Sequence, residues 1–182
     1  ANDVEIHVSP DPKSIPWHTK LIISRKIDTF YSVPSTINRL FSWIKTRHGV
    51  NFNHLKLVIS GGDSFSPDLI DLVKEIASQA DFHNVYGPTE VTINCFATRV
   101  DHLKNKISKR GMVPIGLPFP HLSTMLWSET NETNERSSLS GELLVSGNQK
   151  MVGYFNDPEL TEKAFVTING HSFYRTGDLV EK

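Results

Sequence analysis

Apolar and polar positions change rhythm several times along the chain, and each rhythm predicts an element. Val4, Ile6 and Val8 alternate with polar residues, as on a half-buried strand. Asp11-Pro12 sets a carboxylate cap before a proline at the first helical position, which predicts a helix running to Arg25. Asp28 to Val33 is rich in β-formers and is ended by Pro34. Ile37, Leu40, Phe41 and Ile44 then recur at i, i+3, i+4 and i+7, the buried stripe of a second helix that Gly49 stops. Leu55 to Ser60 is a short apolar run between turn signals, which reads as a buried strand. Gly61-Gly62-Asp63-Ser64 breaks it. Ser66-Pro67 caps a third helix with Leu69, Leu72, Val73 and Ile76 inward, and Phe82 to Tyr86 is a further strand, broken by Gly87-Pro88.

Strands alternating with helices in this way predict an α/β fold: part of an open, mostly parallel sheet with packed helices. After about Val100 the pattern changes. Leu122 to Trp127 and Glu142 to Ser146 read as strands, with a polar loop from Ser128 to Ser140 between them. Asp157-Pro158 caps a short helix reaching about Ala164. Asn169-Gly170, between Val166-Thr167-Ile168 and Ser172-Phe173-Tyr174, is a strong hairpin signal. Two domains are therefore expected, an α/β sheet subdomain over 1–109 and a smaller β-rich lobe over 110–182.

Composition narrows the function classes. The 182 residues carry 19 Lys and Arg against 20 Asp and Glu, a net charge of -1, so no electrostatic footprint for nucleic acid or anionic lipid is present. No apolar run approaches the ~20 residues of a membrane helix, and the first ten residues show no secretory signal. No nucleic-acid or membrane partner is expected. The single cysteine, Cys95, excludes a disulfide framework and a thiolate zinc cluster. The scattered histidines offer no i, i+3 or i, i+4 pair for a metal.

In a parallel sheet, ligands bind beyond the C-terminal ends of the strands. Two glycine breaks lie at such ends: Gly61-Gly62-Asp63, and Asn84-Val85-Tyr86-Gly87-Pro88-Thr89-Glu90. Glycine admits a ligand to the backbone. The second break adds an aromatic face to stack a base, a hydroxyl for a phosphate oxygen and a carboxylate for Mg²⁺. On their composition alone those residues read first as an ordinary tight turn with a half-buried tyrosine and a solvated glutamate. Asp178, in Tyr174-Arg175-Thr176-Gly177-Asp178-Leu179, could hold both hydroxyls of a ribose or simply sit in a turn. Gly141 to Gly147, with Gly153-Tyr154-Phe155, demands nothing beyond a strand and a capped helix.

Taken in order, these segments resemble the adenylate-forming, AMP-binding superfamily, and within it the amino-acid adenylation domains of nonribosomal peptide synthetases. NVYGPTE (Asn84 to Glu90), GELLVSG…GYFNDPELTEKAF (Gly141 to Phe165) and YRTGDL (Tyr174 to Leu179) match three motifs, with VPS (Val33 to Ser35) and SGGD (Ser60 to Asp63) upstream. The resemblance covers essentially the whole chain. It implies that the β-rich lobe is a distorted barrel. It implies that Thr89 contacts the α-phosphate of ATP and Glu90 holds Mg²⁺, the pair most directly engaged in catalysis. Tyr86 would stack on adenine, Gly62 and Gly87 would lie against the nucleotide, and Asp178 would hold the ribose. Tyr31, Ile59, Gly61, Val85, Ile93 and Asn94 would line the side-chain pocket, with Gly61 leaving room in it.

The implied reaction is attack of a carboxylate on the α-phosphate of MgATP, then transfer of the acyl group to the phosphopantetheine thiol of a carrier protein in the cytoplasm. The substrate would be an amino acid or another small carboxylic acid. The family's phosphate loop and its lysine-bearing C-terminal subdomain are absent from these residues, so the chain reads as a middle fragment. It is expected to be inactive alone and to self-associate through truncated edges. An acyl- or aryl-CoA ligase of the same superfamily is one alternative. A non-catalytic nucleotide-binding or carrier-docking module is another.

Overall fold

A computed structural model describes residues 4–8, 10, 11, 13–100, 103, 111–127 and 140–181. The chain divides into two compact units: Ala1–Val85 with Thr98–Gly116, and Tyr86–Ala97 with Leu117–Lys182.

The first unit is built on three parallel strands, β1 (Thr29–Ser32), β2 (Leu57–Gly61) and β3 (Asp81–Tyr86, whose last residue belongs to the second unit). Their registers pair Tyr31 with Ile59, Ile59 with His83 and Gly61 with Val85. Helices α1 (Ile15–Ser24), α2 (Pro34–Lys45) and α3 (Asp68–Ile76) alternate with them. The predicted stripe of α2 is the centre of the core. Ile37, Leu40, Phe41 and Ile44 are completely buried, and Phe41 meets Phe52 edge-to-face at 5.5 Å. Helix α3 contributes Leu69, Ile70, Val73 and Ile76, so Ile70 is buried where Leu72 was expected and Leu72 packs at the margin.

Two local expectations change. Val4 to Val8 forms no strand, and Val4, Ile6 and Val8 are 76–81% exposed. Alternation predicts a strand face only when a neighbour supplies the ladder, and none of the described residues does so here. Helix α1 begins later than the Asp11-Pro12 signal; Pro12 lies outside the described residues. Asp11 accepts from the Lys13 amide at 3.0 Å, while Ser14 is the N-cap, its side chain accepting from the Trp17 amide, with Pro16 in the first turn. One turn on, the Ser14 hydroxyl accepts one orphan helix donor and Pro16, having no N–H, removes another. Helix α2 also ends at Lys45, before Gly49.

The second unit opens with the end of β3 and the antiparallel contact of β4 (Phe96–Arg99) with β5 (Leu117–Pro118), where Phe96 faces Pro118. Its main sheet is antiparallel, in the order β6-β7-β9-β8: β6 (Ser123–Trp127), β7 (Ser140–Ser146), β8 (Phe165–Ile168) and β9 (His171–Glu181). The Asn169-Gly170 turn joins β8 to β9 with Ile168 opposite His171. Short helix α4 (Pro158–Ala164) starts as read, with the Asp157 carboxylate accepting from the Leu160 amide at 2.9 Å. Leu143, Leu144, Val145, Phe173 and Tyr174 are buried. The predicted loop over 128–139 lies outside the described residues. Among those described, no helix is long and apolar enough to cross a membrane.

The sheet of the second unit carries one irregularity. Glu142 pairs with Leu179, but Leu144 pairs with Arg175. Leu143 alone therefore faces three residues of β9, Thr176, Gly177 and Asp178. The surplus residues loop out of the ladder as a bulge, with Gly177 at a φ of 74° that glycine adopts without steric cost.

Candidate functional site

The bulge in β9 exists because two side chains hold it open. Glu142 takes Arg175 in a two-pronged ion pair, at 2.9 Å to Nη2 and 3.2 Å to Nε, and accepts the Gly177 amide at 3.1 Å. Thr176 donates its hydroxyl to the Leu143 carbonyl at 2.8 Å and accepts from the Asp178 amide at 3.1 Å. Arg175 also lies over the Trp127 ring. The Thr176 hydroxyl and the Gly177 and Asp178 amides are thus tied back, and the Asp178 carboxylate projects to the surface. Its Oδ2 accepts a hydrogen bond from the Tyr86 hydroxyl, at the end of β3.

Tyr86 is fixed on both sides. Its ring meets Phe96 edge-to-face at 5.9 Å, and its carbonyl accepts the Cys95 amide at 2.8 Å. Burial first, and then the bond to Asp178, hold its phenol well above the usual tyrosine range. Gly87 packs against the returning chain: a Cβ there would lie 2.6 Å from the Ile93 carbonyl. Between them Thr89–Val91 forms a single 3₁₀ turn, which leaves Thr89 exposed. Thr92 and Ile93 follow with φ of 56° and 69°. For β-branched residues that left-handed backbone costs on the order of 1–3 kcal/mol each, so the surroundings must hold it. Burial pushes the Cys95 thiol below this turn up to about 11, which suits an inert core group.

Glu90 is similarly positioned. Its Oε1 accepts the Tyr154 hydroxyl at 2.8 Å and its carbonyl accepts the Met151 amide at 2.7 Å. The bond to Glu90 raises the Tyr154 phenol; burial and then the bond to Tyr154 raise Tyr174. Among the described residues no group of three or more His, Cys, Asp and Glu converges as a metal cage. A lone carboxylate with acceptor capacity to spare fits Mg²⁺, which is commonly bound by one or two carboxylates, waters and substrate phosphates.

In the first unit the registers place Tyr31, Ile59, Gly61 and Val85 on one face of β1–β3, since Tyr31 pairs with Ile59 and Gly61 with Val85. The room expected at Gly61 is already taken. A Cβ there would meet Val85 Cγ2 at 2.6 Å and the Tyr31 hydroxyl at 3.2 Å. Glycine is needed for that close approach of neighbouring side chains. Gly62 follows at the strand end with a φ of 89°. Ile93 and Asn94 lie in the second unit, on the left-handed turn, with Ile93 60% exposed.

Within the second unit the structure therefore joins Tyr86 to Asp178 and sets Thr89, Glu90, Ile93 and Asn94 on one turn. Sequence reasoning did not single out Glu142, Tyr154 or Tyr174 as supports. The one available signal was a glutamate opening an otherwise apolar strand (Glu142 before Leu143-Leu144-Val145).

A family model described as AMP-binding enzyme matches residues 4–155. The dapdiamide synthesis protein DdaD of Enterobacter agglomerans is 40% identical over 131 residues, covering 70% of this chain and 20% of its own length. The phenyloxazoline synthase MbtB of Mycobacterium tuberculosis is 33% identical over 159 residues, 86% of this chain and 11% of that protein. The crystal structure of the Vibrio cholerae adenylation domain AlmE, in complex with glycyl-adenosine-5'-phosphate, superposes with a TM-score of 0.79 at 31% identity, over 96% of this chain and 33% of its own. The chain thus spans a fifth or less of the two curated relatives and a third of the adenylation domain.

Proposed function

Because the chain belongs to the family of AMP-binding enzymes, we propose that it is the adenosine- and side-chain-recognising part of an amino-acid adenylating ligase. The observation that carries this reading is the hydrogen bond between Tyr86 and Asp178, 92 residues apart, beside a turn that presents Thr89 and Glu90. An aromatic face, a ribose-type carboxylate, a hydroxyl and a Mg²⁺-type carboxylate in one unit suit a nucleoside triphosphate better than any other common ligand. The glycyl-adenosine-5'-phosphate bound by AlmE, a relative at 31% identity, supports an amino acid as the second substrate.

In this reading the Tyr86 ring lies against adenine and Asp178 accepts both ribose hydroxyls. The Thr89 hydroxyl donates to an α-phosphate oxygen as the substrate carboxylate attacks phosphorus and pyrophosphate leaves. Glu90, oriented by Tyr154, would hold Mg²⁺, which when bound neutralises charge on the phosphates. These residues act by positioning and charge stabilisation. Within the first unit Gly62 would give a nucleotide access to the backbone; within the second, Gly87 lets the chain return close enough to hold the turn that presents Thr89 and Glu90. Within the first unit Tyr31, Ile59, Gly61 and Val85, on one face of β1–β3, would be selective toward the substrate side chain; within the second unit Ile93 and Asn94, on the turn after Val91, would be selective as well. The acyl group would then pass to the phosphopantetheine thiol of a carrier protein, as the resemblance of the three motifs to adenylation domains of nonribosomal peptide synthetases suggests.

The test is amino-acid-dependent pyrophosphate exchange by the longest natural chain that carries these residues. Asp178→Ala removes a charged acceptor from the ribose, and hydrogen bonds to charged groups contribute ~1.5–3 kcal/mol, so the KM for ATP should rise at least about tenfold. An ATP KM within about twofold of wild type would remove Asp178 from that role. As the companion sample, the 182-residue chain alone should show no exchange; exchange by it would end the fragment reading.

A further inference from the structure

One residue in the gap of the second motif, Gln149, makes several hydrogen bonds to the turn that carries Ile93 and Asn94. Gln149 follows β7, within the second unit. Its amide nitrogen donates to the Asn94 carbonyl at 2.9 Å and to the Val91 carbonyl at 3.3 Å. Its Oε1 faces His121 Nε2 at 2.5 Å, and its backbone carbonyl accepts the Thr92 hydroxyl at 2.8 Å. Two carbonyls at the nitrogen fix the orientation of the carboxamide, so Oε1 must accept and His121 must carry its proton on Nε2. Every hydrogen-bonding group of the carboxamide is then used. The groups it holds bracket Thr92 and Ile93, the left-handed pair that a β-branched sequence does not adopt unaided.

We propose that Gln149 is a positioning residue that sets substrate specificity, by clamping the Val91–Asn94 turn that presents Ile93 and Asn94 to the substrate. This rests on the adenylation reading for what the turn touches, but not for the clamp itself. Two amide protons on two carbonyls three residues apart lock the path of the turn. A third anchor, through Thr92, stops it from rolling. The carboxamide makes no use of charge, so the clamp is insensitive to salt. Loss of the donors frees the backbone of residues 92–94. Tyr86 and Asp178 keep their own supports in Phe96, Glu142 and Thr176. The effect should therefore fall on the amino acid and spare ATP.

The test uses Gln149→Leu and the isosteric Gln149→Glu in the longest natural chain carrying these residues, with two readouts. In amide hydrogen exchange, Asn94, whose amide bonds the Thr92 carbonyl, should exchange at least about tenfold faster, while Cys95, whose amide holds the Tyr86 carbonyl, and the β8–β9 ladder stay within about twofold. In pyrophosphate exchange the KM for the preferred amino acid should rise about tenfold and the ranking of a panel should flatten, with the KM for ATP within about twofold. Unchanged amide exchange, or acceleration of the ladder along with the turn, would overturn the clamp. Equal shifts in both KM values would overturn the specificity role. A wild-type protein inactive with every amino acid would defeat the adenylation reading and the specificity role together, while the hydrogen-exchange readout alone would still decide the clamp.

Discussion

Three phenols of the second unit, Tyr86, Tyr154 and Tyr174, are all displaced upward from the ordinary tyrosine value of 10.0. The causes differ: burial leads for Tyr86 and Tyr174, the bond to Glu90 for Tyr154. The sign is the same for all. Up to the unfolded value both states keep their protons and the stabilisation is fully present. Above it the unfolded chain releases protons that the folded chain retains, so folding stability falls as pH rises. The melting temperature should therefore drop above a pH of about 10, and less steeply in Tyr86→Phe, which removes one of the three groups. Thermal unfolding followed at a series of alkaline pH values checks this. Parallel curves for the two proteins would show that the Tyr86 phenol does not titrate with folding.

At the scale of elements, helix α2 carries the core of the first unit. Phe41 is fully buried and touches Phe30 and Phe52 through its ring. Phe41→Ala leaves a cavity that rigid strands cannot close, so it should destabilise that unit by about 3–5 kcal/mol in denaturant unfolding. A loss below about 1 kcal/mol would mean that the helix collapses into the gap. This stripe was legible in the sequence because helical spacing is local and regular, as were the Asn169-Gly170 hairpin and the Asp157 cap. Val4 to Val8 misled for the opposite reason: a strand is defined by a partner, and alternation names none. The site divides in the same way. Tyr86, Glu90 and Asp178 stood out as residue types beside glycine breaks. Their supports did not, because the bonds from Tyr154 to Glu90, Gln149 to Asn94 and Arg175 to Glu142 span 64, 55 and 33 residues, with no spacing rule to betray them.

For the whole molecule, the balance of covered and uncovered apolar groups matters most. Val4, Ile6 and Val8 are each more than three-quarters exposed in the first unit; Val152 and Phe155 are 99% and 93% exposed in the second. Among the described residues β1 pairs only with β2, and β6 only with β7. Uncovered apolar side chains and open ladder edges seek partners. The isolated chain should therefore self-associate, with a sedimentation coefficient that rises with concentration. A concentration-independent monomer would show that these groups are tolerated in water.

The bulge in β9 also has an arithmetic. The pairs Glu142–Leu179 and Leu144–Arg175 differ in register by two residues, one full period of a strand. Excising Thr176 and Gly177 would therefore bring both halves of β9 into a single ladder, with every remaining side chain on the face it already occupies. The sheet has no architectural need for the residues that display Asp178; it interrupts itself to show them. A chain lacking the two should melt no lower than the wild type; under the proposed ribose role of Asp178 the longest natural chain with the same excision should bind ATP at least about tenfold more weakly, and unchanged ATP binding would separate the bulge from that role.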